Sequence, residues 1–105
     1  MTDYLIPFTK LPWESPAAGL RQKTAPCGGH RLRLVEFTDL FQESDWCRKL
    51  HIGYVLEGEL ILDFDGRMER FHPGDGFFLP GGEDHRHKAI VPSGGRALVL
   101  LVDEG

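Results

Sequence analysis

Apolar residues in this chain recur in short runs of about four to eight positions rich in Val, Ile, Leu, Phe and Tyr. No longer window combines a 3.6-residue period with freedom from Gly and Pro. Short β-branched and aromatic runs bounded by turn residues are the mark of strands. The pattern predicts strands over residues 32–37, 51–56, 59–63, 67–71, 76–79, 85–91 and 96–102, with weaker ones at 4–8 and 20–24. Residues 38–48 (TDLFQESDWCR) predict an irregular or briefly helical crossing. In 67–71, alternation puts Arg67, Glu69 and Phe71 on one face and Met68 and Arg70 on the other, a mostly polar strand suited to a sheet edge.

The breaks between runs have their own physics. Asp65-Gly66 separates ELILDF from RMERF and suits the positive φ angles of a tight hairpin. Glu57-Gly58, His72 to Gly76, Pro80-Gly81-Gly82 and Pro92 to Gly95 are further turn signals. Many short strands at regular spacing predict an all-β antiparallel sandwich or barrel of six to ten strands.

Composition narrows the function classes. The 105 residues suffice for one domain with a core of its own. A net charge of −4 and no basic run argue against nucleic acid and anionic membranes as partners. No apolar stretch approaches the ~18 residues of a membrane-spanning helix. The opening MTDYLIPF has no basic region followed by a long apolar one, so no secretory leader is expected. Cys27 and Cys47 form no CxxC pair, which fits a reduced, cytoplasmic protein.

Gly74, Pro80, Gly82 and His85 match four of the five fixed positions of G-x5-P-x-G-x2-H-x3-N, with Ala89 in place of the Asn. That is the second motif of the cupin superfamily, which the chain resembles from about residue 31 to 102. In the first motif, G-x5-H-x-H-x3,4-E-x6-G, Gly58 fits the closing glycine and His51 occupies the Glu slot. The two His slots fall on Asp45 and Cys47 at the shorter spacing, or on Ser44 and Trp46 at the longer one. Fifteen residues separate Gly58 from Gly74, as is usual in small cupins. The resemblance implies an antiparallel β-barrel of the double-stranded β-helix or jelly-roll type. It implies an N-terminal arm with the first weak strands over residues 1–30 and a barrel over 31–105. It also implies a homodimer, with the apolar arm (Tyr4, Leu5, Ile6, Phe8, Leu11, Trp13) covering its own barrel or joining a partner's sheet edge.

Alternate residues of a barrel strand point inside, so His85 and His87 share a face. With His85 in the family's ligand slot and His51 facing it, His51, His85 and His87 are the candidate metal ligands, for Zn, Fe, Ni or Cu. Cys47 and Asp45 are weaker candidates in the slots of the missing His pair. The competing reading is a pocket whose histidines hydrogen-bond an organic ligand with no metal. Glu36 shares a face with Leu32 and Leu34 and is a candidate inward-pointing base; Lys49 shares parity with Cys47 and His51. Arg21 and Lys23 are a candidate anion clamp. Tyr54, Phe77 and Phe78 read as core or pocket wall, Trp46 as packing, and His30 and His72 as turn residues in water.

Two functions stand at this level. One is a small metal-dependent enzyme that isomerises, hydrolyses or oxygenates a small polar metabolite such as a sugar or keto acid. The other is a non-catalytic, metal-free ligand-binding or regulatory module. Fold does not choose between them.

Overall fold

The structure is a computed structural model, and it describes residues 4–104. Nine strands follow in order: β1 (Glu14–Ala17), β2 (Leu20–Cys27), β3 (His30–Thr38), β4 (His51–Gly58), β5 (Leu60–Asp63), β6 (Met68–Phe71), β7 (Gly76–Leu79), β8 (Lys88–Ile90) and β9 (Arg96–Glu104). Six form one sheet in the order β1-β2-β3-β9-β4-β7, and three form a second in the order β6-β5-β8. Every pairing is antiparallel. The two sheets enclose one apolar core as a jelly-roll barrel. The only helical segments among the described residues are 3₁₀ turns at Phe8–Lys10 and Glu83–His85. None is long and apolar enough to cross a membrane.

Period-two geometry decides which side chains are inside. On β3 and β9 the odd positions are buried: Val35 and Phe37, then Ala97, Val99, Leu101 and Asp103. They meet Val55 of β4, Leu60 and Leu62 of β5, Leu79 of β7 and Ala89 of β8. Leu60 and Val99 are almost solvent-free, so truncating Leu60 to Ala is expected to cost about 2–5 kcal/mol. Gly53 sits opposite Phe77 across the β4–β7 ladder. A Cβ there would lie 2.2 Å from Phe77 Cζ, so the missing side chain makes room for the ring.

The predicted Asp65-Gly66 hairpin forms between β5 and β6. Both residues have positive φ, 64° and 110°, and Phe64 N donates to Arg67 O at 2.7 Å. β6 lies at a sheet edge, as its polar pattern predicts. Other expectations shift. Residues 4–8 form no strand; the chain there enters a 3₁₀ turn, and β1 (ESPA) begins at Glu14 instead. Thr38 closes β3, and residues 39–48 are irregular with no helical turn. The strand expected from 85 starts at Lys88, because a 3₁₀ turn takes up Glu83–His85.

Candidate metal centre

Cys47 and His87 lie where the irregular crossing meets the approach to β8. Their backbones form an isolated antiparallel bridge, Cys47 N to His87 O at 2.8 Å and His87 N to Cys47 O at 3.0 Å. His51 opens β4 four residues later, with its Nε2 3.3 Å from Cys47 Sγ. The His51 and His87 rings stand edge to face, their centroids 5.4 Å apart. One donor atom from each of Cys47, His51 and His87 falls within a common span of 4.8 Å. Their side chains line a cavity of about 260 Å³. Phe37, Phe77, Leu79 and Leu101 contribute to its walls, with Arg31, Arg33, Glu43 and Lys49 as further polar residues.

The two imidazoles differ in what stands behind them. His87 Nδ1 lies 3.1 Å from His85 O, the geometry in which a protonated Nδ1 donates and Nε2 is left free. His51 Nδ1 is buried without a hydrogen bond of good geometry; Asp103 Oδ2 is 3.5 Å away. Asp103, 2% exposed, lies directly across the ladder from His51. Arg31 Nη2 and Arg33 Nη2 donate to the same carboxylate oxygen at 3.1 and 2.7 Å. Burial works against the charge of Asp103, but the two guanidiniums outweigh it and hold the carboxyl below its usual range.

Hydrogen bonds from His51 and His87 bring the Cys47 thiol down to about 5, so it is a thiolate at neutral pH. Burial opposes charge on His87, yet the neighbouring Cys47 and the His85 carbonyl raise its pKa overall. Glu43 accepts from Ala89 N at 2.8 Å, and burial pushes its carboxyl up.

The sequence pattern of the cupin domain matches residues 48–102. This chain belongs to the cupin domain family. No curated protein sequence matches it. Among solved structures it is similar to an RmlC-like cupin from Shewanella frigidimarina, at 20% identity and TM-score 0.78, covering 98% of this chain and 91% of that one. It is also similar to the polyketide cyclase RemF from Streptomyces resistomycificus (22%, TM-score 0.79, 98% and 80%). KdgF from Halomonas sp. is a third (19%, TM-score 0.77, 100% and 96%). At these identities the likeness is one of fold.

The cupin barrel brings together two of the three expected histidines. His51 and His87 share the centre, joined by Cys47 from the second His slot of the first motif. His85 is the departure: although it stands in the motif's ligand slot, the 3₁₀ turn carries its side chain to the exposed surface, and extended backbone resumes in time to turn His87 inward. Asp45 is also outside the cluster, 80% exposed and paired with Arg48.

Glu36 corrects the parity assumed for β3. Leu32, Leu34 and Glu36 face outward, and Glu36 binds Arg21 and Arg96, which lower its pKa. Lys49 does line the cavity, from an exposed position. Arg21 and Lys23 stack on Trp13, and Lys23 Nζ donates to Phe8 O at 2.7 Å. Phe77 is cavity wall, whereas Tyr54 and Phe78 are outer-face residues, 47% and 65% exposed. Trp46 packs under Lys88 Nζ, 4.6 Å from its ring centre. His72 is exposed beside Glu59 and Asp75, and exposed His30 begins β3 rather than remaining in the turn.

Sequence reasoning missed Glu43, Arg31, Arg33 and Asp103. Glu43 lies in an aperiodic crossing, where no pattern marks an inward position. Arg31 and Arg33 follow from the inverted parity of β3: with Val35 inside, both arginines are inside too. The one available signal was Asp103 continuing the alternation of Ala97, Val99 and Leu101 into a buried position.

Proposed function

We propose that this cupin holds a divalent transition metal through Cys47, His51 and His87 and uses it to bind and transform a small metabolite in the adjoining cavity. The observation that carries the reading is the convergence of one sulfur and two imidazole nitrogens within 4.8 Å at the cavity wall. The donor set fits a metal. The thiol is acidic enough to bind as thiolate, and His87 is fixed by a carbonyl behind it. Thiolate with imidazole suits Zn²⁺ first, then Cu, Fe or Ni, and disfavours Mg²⁺ and Ca²⁺.

When bound, such a metal supplies a Lewis acid that polarises a carbonyl or a water. The chain's own residues do the rest. The apolar walls exclude water. Glu43, which lines the cavity and whose carboxyl pKa burial raises, is the group proposed to take or return a proton. Isomerisation, hydrolysis and oxygenation are all compatible with that pairing. One of the similar structures is a polyketide cyclase, so a barrel of this fold does host catalysis. The first motif's departures from the family's ligands favour the second reading, a metal-free binding module.

Elemental analysis of untagged protein tests the choice. About one transition metal per chain is expected, lost in Cys47→Ser, His51→Ala and His87→Ala and kept in His85→Ala. No metal after reconstitution with Zn²⁺, Fe²⁺, Ni²⁺ and Cu²⁺ in turn would put the binding module in front.

The same proposal includes a homodimer. Ile52, Tyr54 and Phe78 form an exposed apolar strip on the outer face of β4 and β7, continuous with Leu100 and Val102 of β9. A second copy covering this strip would remove it from water. Residues 1–30 would then be the arm and residues 31–105 the barrel. Cys27 and Cys47 are free thiols, which supports a reducing, cytoplasmic setting.

A further inference from the structure

We propose that the cavity selects an organic anion: a carboxylate or phosphate ester held by Arg31, Arg33 and Lys49 beside the Cys47–His51–His87 cluster, on a largely apolar body that lies against the remaining walls. The proposal deepens the function above by naming its ligand class, and it rests on that reading for the role of the Cys47–His51–His87 cluster.

Charge around the arginines is unbalanced. Arg31 and Arg33 both close on the single carboxylate of Asp103. Two guanidiniums against one carboxylate leave one positive charge over, and Lys49 adds another on the same cavity. The arginines are well enough buried, at 34% and 14% side-chain exposure, for that charge to be poorly screened. Arg33 has one fixed bond to Gln22 Oε1 and one to Asp103, while its buried Nε meets no protein acceptor. An incoming anion supplies acceptors where donors stand ready, and guanidinium geometry suits carboxylate and phosphate alike. The other acidic groups on the cavity, Glu43 and Cys47, are engaged elsewhere: Glu43 accepts from Ala89 N and Cys47 Sγ lies 3.3 Å from His51 Nε2.

The rest of the lining sets the body of the ligand. Leu20, Phe37, Phe41, Phe77, Leu79 and Leu101 present no hydrogen-bonding group to the cavity. A polyhydroxylated sugar would leave hydroxyls unpaired against these walls, and each unpaired group loses affinity. A flat or branched apolar body loses nothing there. At about 260 Å³ the space is below the ~300–1,000 Å³ typical of drug-sized sites, so the ligand is a compact metabolite.

The test is calorimetric titration of metal-loaded and metal-free protein with benzoate, phenyl phosphate, benzamide and gluconate, with metal content measured separately. Benzoate or phenyl phosphate should bind at least tenfold more tightly than neutral benzamide, and benzoate at least tenfold more tightly than gluconate, a difference of about 1.4 kcal/mol. The tighter of the two aromatic anions names the charged group. Lys49→Gln and Arg31→Gln should each weaken that anion about tenfold, Lys49→Gln at unchanged metal content and melting temperature. Lys49 is exposed, so its variant keeps the test valid if Arg31→Gln misfolds. Equal binding of benzamide, tighter binding of gluconate, binding by none of the four, or unchanged anion affinity in Lys49→Gln would overturn the proposal. Anion preference in a protein that takes no metal would sink the metal reading and leave this one standing; stoichiometric metal without anion preference would do the reverse.

Discussion

Asp103 Oδ2 stands 3.5 Å from His51 Nδ1, directly across the β4–β9 ladder, while Arg31 and Arg33 grip the same carboxylate. The carboxylate therefore links the two arginines to one of the proposed ligands. Asp103→Asn would leave two partly buried guanidiniums without their counter-ion, and stability should fall by about 3–5 kcal/mol in urea denaturation. Its loss should also free the His51 ring and weaken metal binding about 10–100-fold. Metal affinity equal to that of the unmutated protein, measured on folded Asp103→Asn, would show that Asp103 does not orient His51.

The same pair makes a pH prediction with a definite sign. The folded pKa of Asp103 lies below its unfolded value of ~3.9. A depressed acid contributes stability that is fully present above the unfolded value and is lost as pH falls through the folded one. The stability difference between the unmutated protein and Asp103→Asn should thus be constant from pH 7 to about 5 and shrink below ~3.9. Denaturation midpoints at pH 7, 5, 4 and 3 check it. A gap that widens on acidification would contradict the assignment.

Cys47 should be unusually reactive in metal-free protein. With its thiol lowered to about 5, the thiolate fraction stays near complete from pH 8 to 6 and falls as pH drops through 5. Mass-resolved alkylation by iodoacetamide should follow that curve at Cys47 and slow sharply when Zn²⁺ is added. A rate at Cys47 that keeps climbing up to pH 8.5 would mean an ordinary thiol there.

The outer strip of β4 and β7 gives the oligomer prediction. Ile52→Glu and Phe78→Glu place charge on exposed apolar positions without touching the core. Each should turn a dimer into a monomer at tens of micromolar in analytical ultracentrifugation, with surface-like stability changes of about ±0.5 kcal/mol. A monomeric unmutated protein, or a dimer that survives both changes, would place the interface elsewhere or remove it.

The strand composition, the Gly/Pro punctuation and the Asp65-Gly66 hairpin were legible in the linear order because they depend on local backbone preference. Gly74, Pro80, Gly82 and Gly58 likewise marked the barrel, since turns tolerate few residue types. Legible too were His51, and Cys47 as a weaker candidate, by their distance from Gly58. What the linear order left open was facing and depth. Strand 32–37 alternates Leu and Val with charges on both parities, so either face could be inward; only the ladder with β9, which buries Val99 and Leu101 beside Val35 and Phe37, turned Arg31 and Arg33 in and Glu36 out. His85 and His87 share a face only if the strand runs unbroken through both. The 3₁₀ turn at Glu83–His85 breaks it, and the Cys47 bridge then holds His87 in place. Asp103 and Glu43 acquired their roles from partners 52 and 46 residues away in the chain, His51 and Ala89. Contacts that distant are made by packing, and no local pattern encodes them.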